Sequence, residues 1–263
     1  MDLSERQLEI LSLIRAQNRV DVDTLAARFR VTTQTIRRDL NELCIRGLAA
    51  RVHGGATQPH SITNFGYEER RRFASEEKHT IGRTVAEIIP DNCSVMLNIG
   101  TTTEQVARAL FGHRDLIVIS NNINVINILS GSGSKELVLA GGTVRQSDGA
   151  IVGEEAVEFI SRFKADYAVV GASAIDEDGA VLDFDSREVS VARAILRNAR
   201  TRILVCDIQK FNRTAPLRIC DISDIDIFVT DAMPEKDFAA ACDAAGTKII
   251  VAGQTDVEAV LEA

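Results

Sequence analysis

Four consecutive residues near the middle of the chain have the composition of an anion site. Gly100, Thr101, Thr102 and Thr103 follow the apolar run 95–99 and lead into a stretch with helical spacing. Glycine lets the backbone turn tightly, and the amide and hydroxyl groups after it then point together at a helix N-terminus, where negative charge is favoured. The spacing is neither that of a Walker loop nor G-x-G-x-x-G, so a nucleotide is not indicated. A threonine-rich helix cap without a ligand is the alternative interpretation.

Small and polar residues also follow other apolar runs of the chain. Asn121 and Asn122 follow the next run, Gly141 and Gly142 follow the one after it, and the segment 171–173 follows another. In parallel α/β sheets, ligands sit beyond the carboxyl ends of the strands. Because these loop tips offer hydrogen bonds rather than apolar surface, they favour a small polyol or a sugar phosphate as the ligand.

Two charged residues, Glu188 and Lys210, are further candidates for ligand contacts. Glu188 enters a predicted helix after a glycine-rich turn, and Lys210 lies just past the run 203–206, where a lysine can partner a phosphate or a carbonyl. Either residue could instead be an ordinary surface charge. As a base and an enediolate-stabilising group, the two could also serve a sugar-phosphate isomerase, which is the alternative class of function.

The composition argues against several other chemistries. The five cysteines are scattered, with no Cys-x-x-Cys pair and no histidine at zinc spacing, so we expect no metal site, no cofactor and thiols in a reducing compartment. No window approaches eighteen consecutive apolar residues, and the first residues lack the pattern of a signal peptide. We therefore predict a cytoplasmic protein with no membrane partner.

The elements that must position these loops follow from the hydrophobic pattern of the body. Short apolar runs predict seven strands, at 95–99, 116–119, 136–140, 167–170, 203–206, 227–229 and 249–251. Helical patterns lie between most of them, at 103–111, 123–130, 153–163, 186–199 and 235–245. Strands that alternate with helices predict a mainly parallel sheet covered by helices, which is an α/β fold.

Nearer the N-terminus, the pattern predicts a helix from Thr32 to Leu43 with two different faces. Ile36, Leu40 and Leu43 form an apolar stripe. The rest of the helix carries the polar residues Thr33, Gln34, Thr35, Arg37 and Arg38. A short helix predicted at 22–29 and a tight connection precede it, which is the helix-turn-helix arrangement, whose second helix enters the DNA major groove. Taken alone, the helix could be an ordinary amphipathic surface helix.

The segment after this helix predicts a small wing. Arg51 and His53 occupy alternate positions before Gly54 and Gly55, where a hairpin can turn, and both could reach phosphates or a minor groove. A plain turn with an incidental histidine is the alternative. We include Arg51, His53 and Gly54 with the helix in a candidate DNA-binding surface.

The charge distribution separates a head from a body. Residues 1–57 carry nine arginines against seven carboxylates, although the whole chain has a net charge of −8. Residues 84–263 carry sixteen basic against twenty-seven acidic groups, so the body should repel DNA that the head binds. We divide the chain into a DNA-binding domain at 1–57, a polar linker at 58–75 and an α/β domain at 76–263. Within the linker, the basic cluster of the mixed-charge run 67–73 could touch DNA backbone, but three arginines beside two glutamates favour a solvated helical face.

The string TTQTIRRDLNEL at 32–43, followed by RVHGGA at 51–56, closely resembles the winged helix-turn-helix signature of DeoR-type bacterial transcriptional regulators. In the body, the stretches IGTTTEQVARAL, SNNINV, DGAIVGEEAVEFISRF and LDFDSREV resemble the effector domain of that family, so the resemblance covers nearly the whole chain. It implies an N-terminal winged helix-turn-helix plus a larger α/β effector domain, similar to the fold of ribose-5-phosphate isomerase and its sugar-phosphate-binding relatives.

The resemblance also implies roles for single residues and for the whole protein. It implies phosphate binding by Gly100, Thr101, Thr102 and Thr103, and ligand-facing roles for Asn121, Asn122, Gly141, Gly142, Glu188 and Lys210. The implied protein is a repressor, not an enzyme, and binds double-stranded operator DNA as a homo-dimer or homo-tetramer. A phosphorylated polyol or sugar controls it; glycerol 3-phosphate is the expected effector and another sugar phosphate the alternative. The isomerases carry an acid-rich motif where this chain has GASAID at 171–176, a departure that argues against turnover.

Overall fold

The computed structural model of the protein describes residues 3–17, 19–45, 48–52, 54–57, 66–254 and 257. The chain divides into two compact units, Met1–Ser61 and Ile62–Ala263. Among the described residues, no helix is long and apolar enough to cross a membrane.

The first unit is a helix-turn-helix with a small sheet. Its elements are α1 (Glu5–Gln17), β1 (Arg19–Asp21), α2 (Val22–Phe29), α3 (Thr33–Ile45), β2 (Ala50–Val52) and β3 (Gly55–Thr57). The helix α2 spans the residues predicted for it, and α3 contains nearly all of the predicted second helix. The buried side chains Ile10, Ile14, Leu25, Ile36 and Leu43 form the core of this unit, and burying each one stabilises the fold by about 1.5–3 kcal/mol.

The wing has a third strand that the sequence pattern did not predict. The sheet order is β1-β3-β2, with antiparallel pairs, so β1 extends the hairpin formed by β2 and β3. Three residues between two helices are too few to show the alternation that identifies a strand. The close approach of β1 also explains Gly55, because a Cβ there would lie 1.9 Å from the carbonyl oxygen of Val20.

Besides three short 3-10 helices, the second unit contains nineteen α-helices and β-strands among its described residues. They are α4 (Tyr67–Arg72), α5 (Ser75–Ile88), β4 (Ser94–Leu97), α6 (Thr101–Ala109), β5 (Leu116–Ser120), α7 (Ile123–Leu129), β6 (Lys135–Leu139), β7 (Thr143–Arg145), β8 (Ala150–Val152), α8 (Glu154–Ile160), β9 (Ala165–Gly171), β10 (Ala174–Ile175), β11 (Ala180–Asp183), α9 (Ser186–Arg197), β12 (Ala199–Val205), β13 (Leu217–Asp221), β14 (Ile227–Thr230), α10 (Lys236–Ala245) and β15 (Lys248–Val251).

All seven predicted strands join one parallel sheet in the order β15-β14-β12-β9-β4-β5-β6. Apolar side chains cover both faces. Met96 packs on one face with residues of α8, α9 and α10, and Val95 and Leu97 pack on the other with residues of α5, α6 and α7. Strands buried on both faces read as continuous apolar runs, which is why the sequence located them. The predicted fold class, a winged helix-turn-helix followed by a larger α/β domain, is confirmed.

Two smaller sheets were not predicted. Strands β7 and β8 form an antiparallel hairpin, and β10, β11 and β13 form a three-stranded antiparallel sheet. Most of these strands are only two to four residues long, so their pairing depends on tertiary contacts rather than on a local pattern.

Residues 67–72, which lie inside the predicted linker, form α4 and pack within the second unit. The prediction of a solvated helical face is wrong for Arg70, because its side chain is only 16% exposed and its Nη2 pairs with Asp148 at 3.3 Å. Arg71 and Arg72 on the same helix are exposed, as predicted.

Candidate functional site

The helix α3 presents one apolar and one polar face. Ile36, Leu40 and Leu43 are buried, whereas Thr33, Gln34, Arg37 and Arg38 are exposed and Thr35 is half-buried. The Oγ1 atom of Thr32 accepts a hydrogen bond from the amide of Thr35 at 3.2 Å, which caps the first turn. Within the part of the chain that the structure describes, the guanidinium groups of Arg37 and Arg38 have no hydrogen bond or ion pair, so both are available to a ligand.

The carboxylates of α3 are bound by α1. Asp39 accepts from Nε and Nη2 of Arg6 at 2.7 and 3.3 Å, and Glu42 accepts from Nε2 of Gln7 at 3.0 Å. A hydrogen-bonded arginine neutralises most of the field of Asp39. The exposed face of α3 is therefore positive despite the acidic residues in its sequence.

The wing is linked to α3 by a side-chain contact. Nη1 of Arg51 donates to Oδ1 of Asn41 at 3.1 Å, so an exposed wing arginine lies beside the second half of α3. Gly54 has a φ of +80° in the turn between β2 and β3, a conformation that favours glycine. His53 lies outside the described residues. This arrangement of a polar helix and a basic wing fits a duplex with the helix in the major groove.

In the second unit, the loop after β4 forms the start of α6. Gly100 has a φ of +142° and precedes the buried residues Thr101, Thr102 and Thr103. Thr103 donates its hydroxyl hydrogen bond to the carbonyl of Gly100 at 2.8 Å, so it shapes the loop. Thr101 makes a longer contact, from Oγ1 to the carbonyl oxygen of Arg70 at 3.4 Å, which leaves it the more available of the two hydroxyls.

The asparagines after β5 are both fully buried and both hold local structure. Oδ1 of Asn122 caps α7 by accepting from the amide of Asn124 at 2.9 Å. Nδ2 of Asn121 donates to the carbonyl of Ile151 at 3.0 Å, which ties the loop to β8. Oδ1 of Asn121 is buried without a hydrogen-bond partner among the described residues, as is Oδ1 of Asn98 after β4. Two buried acceptors at neighbouring strand ends thus have no donor among the described residues.

Gly141 and Gly142 form an exposed turn between β6 and β7. Gly142 has a φ of +135°, and a Cβ on it would lie 3.2 Å from the Ile151 side chain. Their visible role is to turn the chain into the β7–β8 hairpin, which carries Arg145. The structure does not bring these two glycines together with the charged residues described next.

Glu188 lies in an ion-pair cluster centred on Arg145. The guanidinium of Arg145 contacts Glu188 at 2.7 Å, Asp185 at 2.9 Å and Asp148 at 2.6 Å. Burial raises the pKa of Glu188, the charge of Asp183 adds to the increase, and Arg145 opposes it. Among the described residues, no cluster of His, Cys, Asp and Glu has the arrangement of a metal site.

Lys210 lies at the centre of a different group, in which positive charge is in excess. It is 9% exposed on a 3-10 turn, Ile208–Asn212, that follows β12. Burial lowers its pKa, with Arg213 and Arg70 adding to the decrease and Asp207 opposing it. Its ammonium group has no hydrogen bond or ion pair to the residues that the structure describes.

Lys78 on α5 belongs to the same cationic group. Burial lowers its pKa to about 8 against the opposing charge of Asp207. The charges of Lys210, Arg213 and Arg70 lower it further. Cations that depress one another's pKa would be relieved by a bound anion.

The sequence interpretation missed Arg70, Lys78, Arg145 and Asp207. For Lys78, a signal was present, because it lies on the apolar stripe of α5 together with Ile81, Val85 and Ile88. A lysine on a buried stripe is rarely a solvated charge. Arg70 lies on the short helix α4, Arg145 on the β7–β8 hairpin and Asp207 in the turn after β12, and no local sequence pattern indicates that these residues belong to a site.

Comparison with known proteins gives the following similarities. Residues 6–62 match the DeoR-like helix-turn-helix domain, and residues 74–232 match the DeoR C terminal sensor domain. The chain is 43% identical to the glycerol-3-phosphate regulon repressor of Escherichia coli (strain K12), over 89% of this chain and 93% of that protein. It is 38% identical to the HTH-type transcriptional repressor CsqR of the same strain, over 87% of this chain and 88% of that protein.

A solved structure is also similar, at a lower level. The ribose 5-phosphate isomerase A of Methanocaldococcus jannaschii superposes with a TM-score of 0.39 and 13% identity, over 52% of this chain and 55% of that chain.

Proposed function

The chain belongs to the DeoR family of transcriptional repressors, and on this basis we propose that glycerol 3-phosphate binds its sensor domain and controls its affinity for operator DNA. The prediction of a DNA-binding repressor rather than an enzyme is confirmed by the repressors to which the chain is similar. The identity of the effector, the binding residues, the domain boundaries and the oligomer are our proposals.

The excess of positive charge at the strand ends is the observation that carries the effector proposal. Lys210, Lys78 and Arg70 lie within electrostatic range of one another, and Lys210 has no partner among the described residues. A phosphate group carries a charge of about −1.5 to −2 at neutral pH and would neutralise this excess. We assign the phosphate to these cations and to the loop Gly100–Thr103.

The hydroxyl groups of a polyol phosphate match the buried acceptors nearby. Oδ1 atoms of Asn98, Asn121 and Asp207 have no hydrogen-bond partner among the described residues, and each unsatisfied buried acceptor costs about 1–3 kcal/mol. Hydroxyl donors of glycerol 3-phosphate would relieve this cost. We propose that Asn122 and Glu188 maintain the shape of the site rather than contact the ligand, since both are already bound to protein groups. We propose that Gly141 and Gly142 form the turn beside the site.

On the DNA side, we assign groove and backbone contacts to the exposed face of α3 and to the wing. The residues are Thr33, Gln34, Thr35, Arg37, Arg38, Arg51, His53 and Gly54. We propose that residues 1–57 bind DNA, that 58–75 join them to a sensor at 76–263, and that the protein acts as a homo-dimer or homo-tetramer, because paired heads match paired half-sites.

A titration of the full-length protein tests the proposed function. Calorimetry should show glycerol 3-phosphate binding, with ribose 5-phosphate and glycerol as comparison ligands. Fluorescence anisotropy at fixed salt, on a duplex selected by the protein from a random library, should show a different DNA affinity when glycerol 3-phosphate is saturating. An unchanged DNA affinity would remove glycerol 3-phosphate as the effector.

The affinity for glycerol 3-phosphate should fall as the pH rises above about 8. The free protein holds the pKa of Lys78 at about 8, and a bound phosphate raises it, so binding above that pH must take up a proton. The part of the affinity that depends on charged Lys78 is therefore complete below pH 8, and it decreases by up to about tenfold per pH unit above it, until the pKa of Lys78 in the complex is reached.

Calorimetry at pH 8.5 in buffers of different ionisation enthalpy measures the proton uptake directly. In Lys78→Arg, whose guanidinium keeps its charge, the uptake should shrink to the contribution of Lys210. Absence of proton uptake in the unaltered protein at pH 8.5 would contradict the involvement of these lysines.

A further inference from the structure

A short helix ties the segment that follows the DNA-binding unit to the proposed effector site. Residues 58–65 join the strand β3 to Gly66, and α4 begins at the next residue, Tyr67. The helix α4 is therefore the first described element of the chain after the strand β3 of the DNA-binding unit. The contacts of α4 show what holds it.

At its first turn, α4 is held by a tyrosine. The hydroxyl of Tyr67 donates to the carboxylate of Glu104 on α6, with Oε2 at 2.9 Å, and accepts from Nδ2 of Asn124 at 2.9 Å. Glu104 is 3% exposed, and its Oε1 also accepts from Asn124 at 3.0 Å. A hydrogen bond to a buried carboxylate is about twice as strong as one between neutral groups.

At its last turn, α4 is held by residues that we assign to the phosphate. Nζ of Lys78 donates to the carbonyl oxygen of Arg70 at 2.6 Å and to that of Phe73. Oγ1 of Thr101 contacts the same Arg70 carbonyl at 3.4 Å. The Arg70 side chain pairs with Asp148 at 3.3 Å, and its Nε is buried without a hydrogen-bond partner among the described residues.

These contacts compete with a bound phosphate. Lys78 and Thr101 both donate to the backbone carbonyl of Arg70 in α4, but a phosphate oxygen is the stronger acceptor for an ammonium group. Phosphate binding therefore withdraws the donors Lys78 and Thr101 from the last turn of α4. The loss of these contacts disfavours the observed position of the helix.

We propose that α4 is the switch element of this repressor: its latched position, held by Tyr67–Glu104 and by Lys78 and Thr101, competes with the effector, and effector binding releases it. The inference rests on the proposed function, since it assumes a phosphorylated effector at Lys78 and Thr101. A ligand shifts such an equilibrium only through its different affinities for the two states. Weakening the latch must therefore strengthen effector binding and mimic the effector's action on DNA.

The variant Tyr67→Phe in the full chain tests this, because it removes one hydroxyl and leaves the ring. The latched state should lose about three- to tenfold in population relative to the released state. Glycerol 3-phosphate should then bind about three- to tenfold more tightly by calorimetry, and the DNA affinity of the ligand-free variant should move toward the effector-saturated value of the unaltered protein. Tyr167→Phe on β9 is the matched control, since Tyr167 is a half-buried tyrosine that packs against the core between the sheet and the helices α5, α6 and α7, and it should change neither quantity.

A double-mutant cycle gives a second readout that does not depend on the identity of the effector. Glu104→Gln should shift the ligand-free DNA affinity in the same direction as Tyr67→Phe. The double variant should shift it little further than either single variant, because both changes break the same contact. Hydrogen exchange at 67–72 should be faster in Tyr67→Phe than in Tyr167→Phe.

Failure of the two proposals can be told apart. If the unaltered protein ignores glycerol 3-phosphate while Tyr67→Phe shifts DNA affinity, the effector assignment fails and the switch stands. If the unaltered protein responds to glycerol 3-phosphate while Tyr67→Phe behaves like Tyr167→Phe, the switch is overturned.

Discussion

Replacing both Arg37 and Arg38 with alanine should lower the affinity for operator DNA by a hundredfold or more. An arginine that reads a guanine is worth about 1–3 kcal/mol, and the homo-dimer that we propose would lose each contact twice. Both guanidiniums lie on the exposed face of α3, while the acidic residues of that helix are bound to α1. The loss should therefore come from DNA contacts rather than from unfolding of the head, whose core the two side chains do not enter.

The salt dependence of the two single variants separates base reading from phosphate contact. A variant that loses a guanine contact should bind the selected duplex and an unrelated duplex with more similar affinities. A variant that loses a phosphate contact should bind both duplexes more weakly. Its plot of log affinity against log salt concentration should have a slope smaller in magnitude by about one per lost contact. Fluorescence anisotropy at four salt concentrations on both duplexes measures these quantities.

A charge-matched control excludes a general electrostatic effect. Arg162→Ala with Arg200→Ala removes two exposed guanidiniums from the sensor unit, where they pair with Glu158 and Asp166. This control should bind the operator within about threefold of the unaltered protein, because exposed ion pairs contribute little. Equal losses in the two double variants, or no loss in Arg37→Ala with Arg38→Ala, would refute the assignment of α3 as the reading helix.

The parts of the fold that sequence reasoning located are those with a strong local pattern. The central strands, such as Val95–Leu97 and Ile203–Val205, are buried on both faces and therefore show as continuous apolar runs. The helix α2 was located at both ends because its burial pattern is periodic over its whole length. The hairpin β7–β8 was missed because three-residue strands carry no period, and its pairing depends on the loop after β5, where Asn121 holds Ile151.

The candidate site likewise contains residues that local sequence features predicted and residues that only the tertiary fold brings together. The loop Gly100–Thr103 and Lys210 were found because a strand-to-helix turn and a lysine after a strand are local features. Arg145 and Glu188 are 43 residues apart in the chain, and only the tertiary fold brings them within 2.7 Å. The position of Arg70 has a similar cause: its neighbours Arg71 and Arg72 are exposed, so composition alone could not single it out.

Replacing Lys210 with methionine should abolish the response to effector and at the same time make the protein more stable. Removing one partner of a buried charge pair typically costs about 2–5 kcal/mol of binding free energy, so glycerol 3-phosphate should bind thirtyfold or more weakly. In the free protein, however, the ammonium group is buried, has no bonded partner among the described residues and is repelled by Arg213 and Arg70. Methionine has a similar shape and removes this penalty.

The gain in stability should be about 1 kcal/mol, which raises the midpoint of thermal unfolding by about 2–4 °C in a domain of this size. Lys135→Met is the matched control, because Lys135 lies at the start of β6 and donates to the carbonyl oxygens of Phe111 and His113. That variant should unfold at a lower temperature and keep its effector affinity. The two variants should therefore shift the unfolding temperature in opposite directions, and only Lys210→Met should weaken effector binding, since we assign Lys210 to the ligand whereas Lys135 already donates to two carbonyl oxygens. A Lys210→Met protein that is both less stable and unaltered in effector binding would show instead that this lysine belongs to the scaffold.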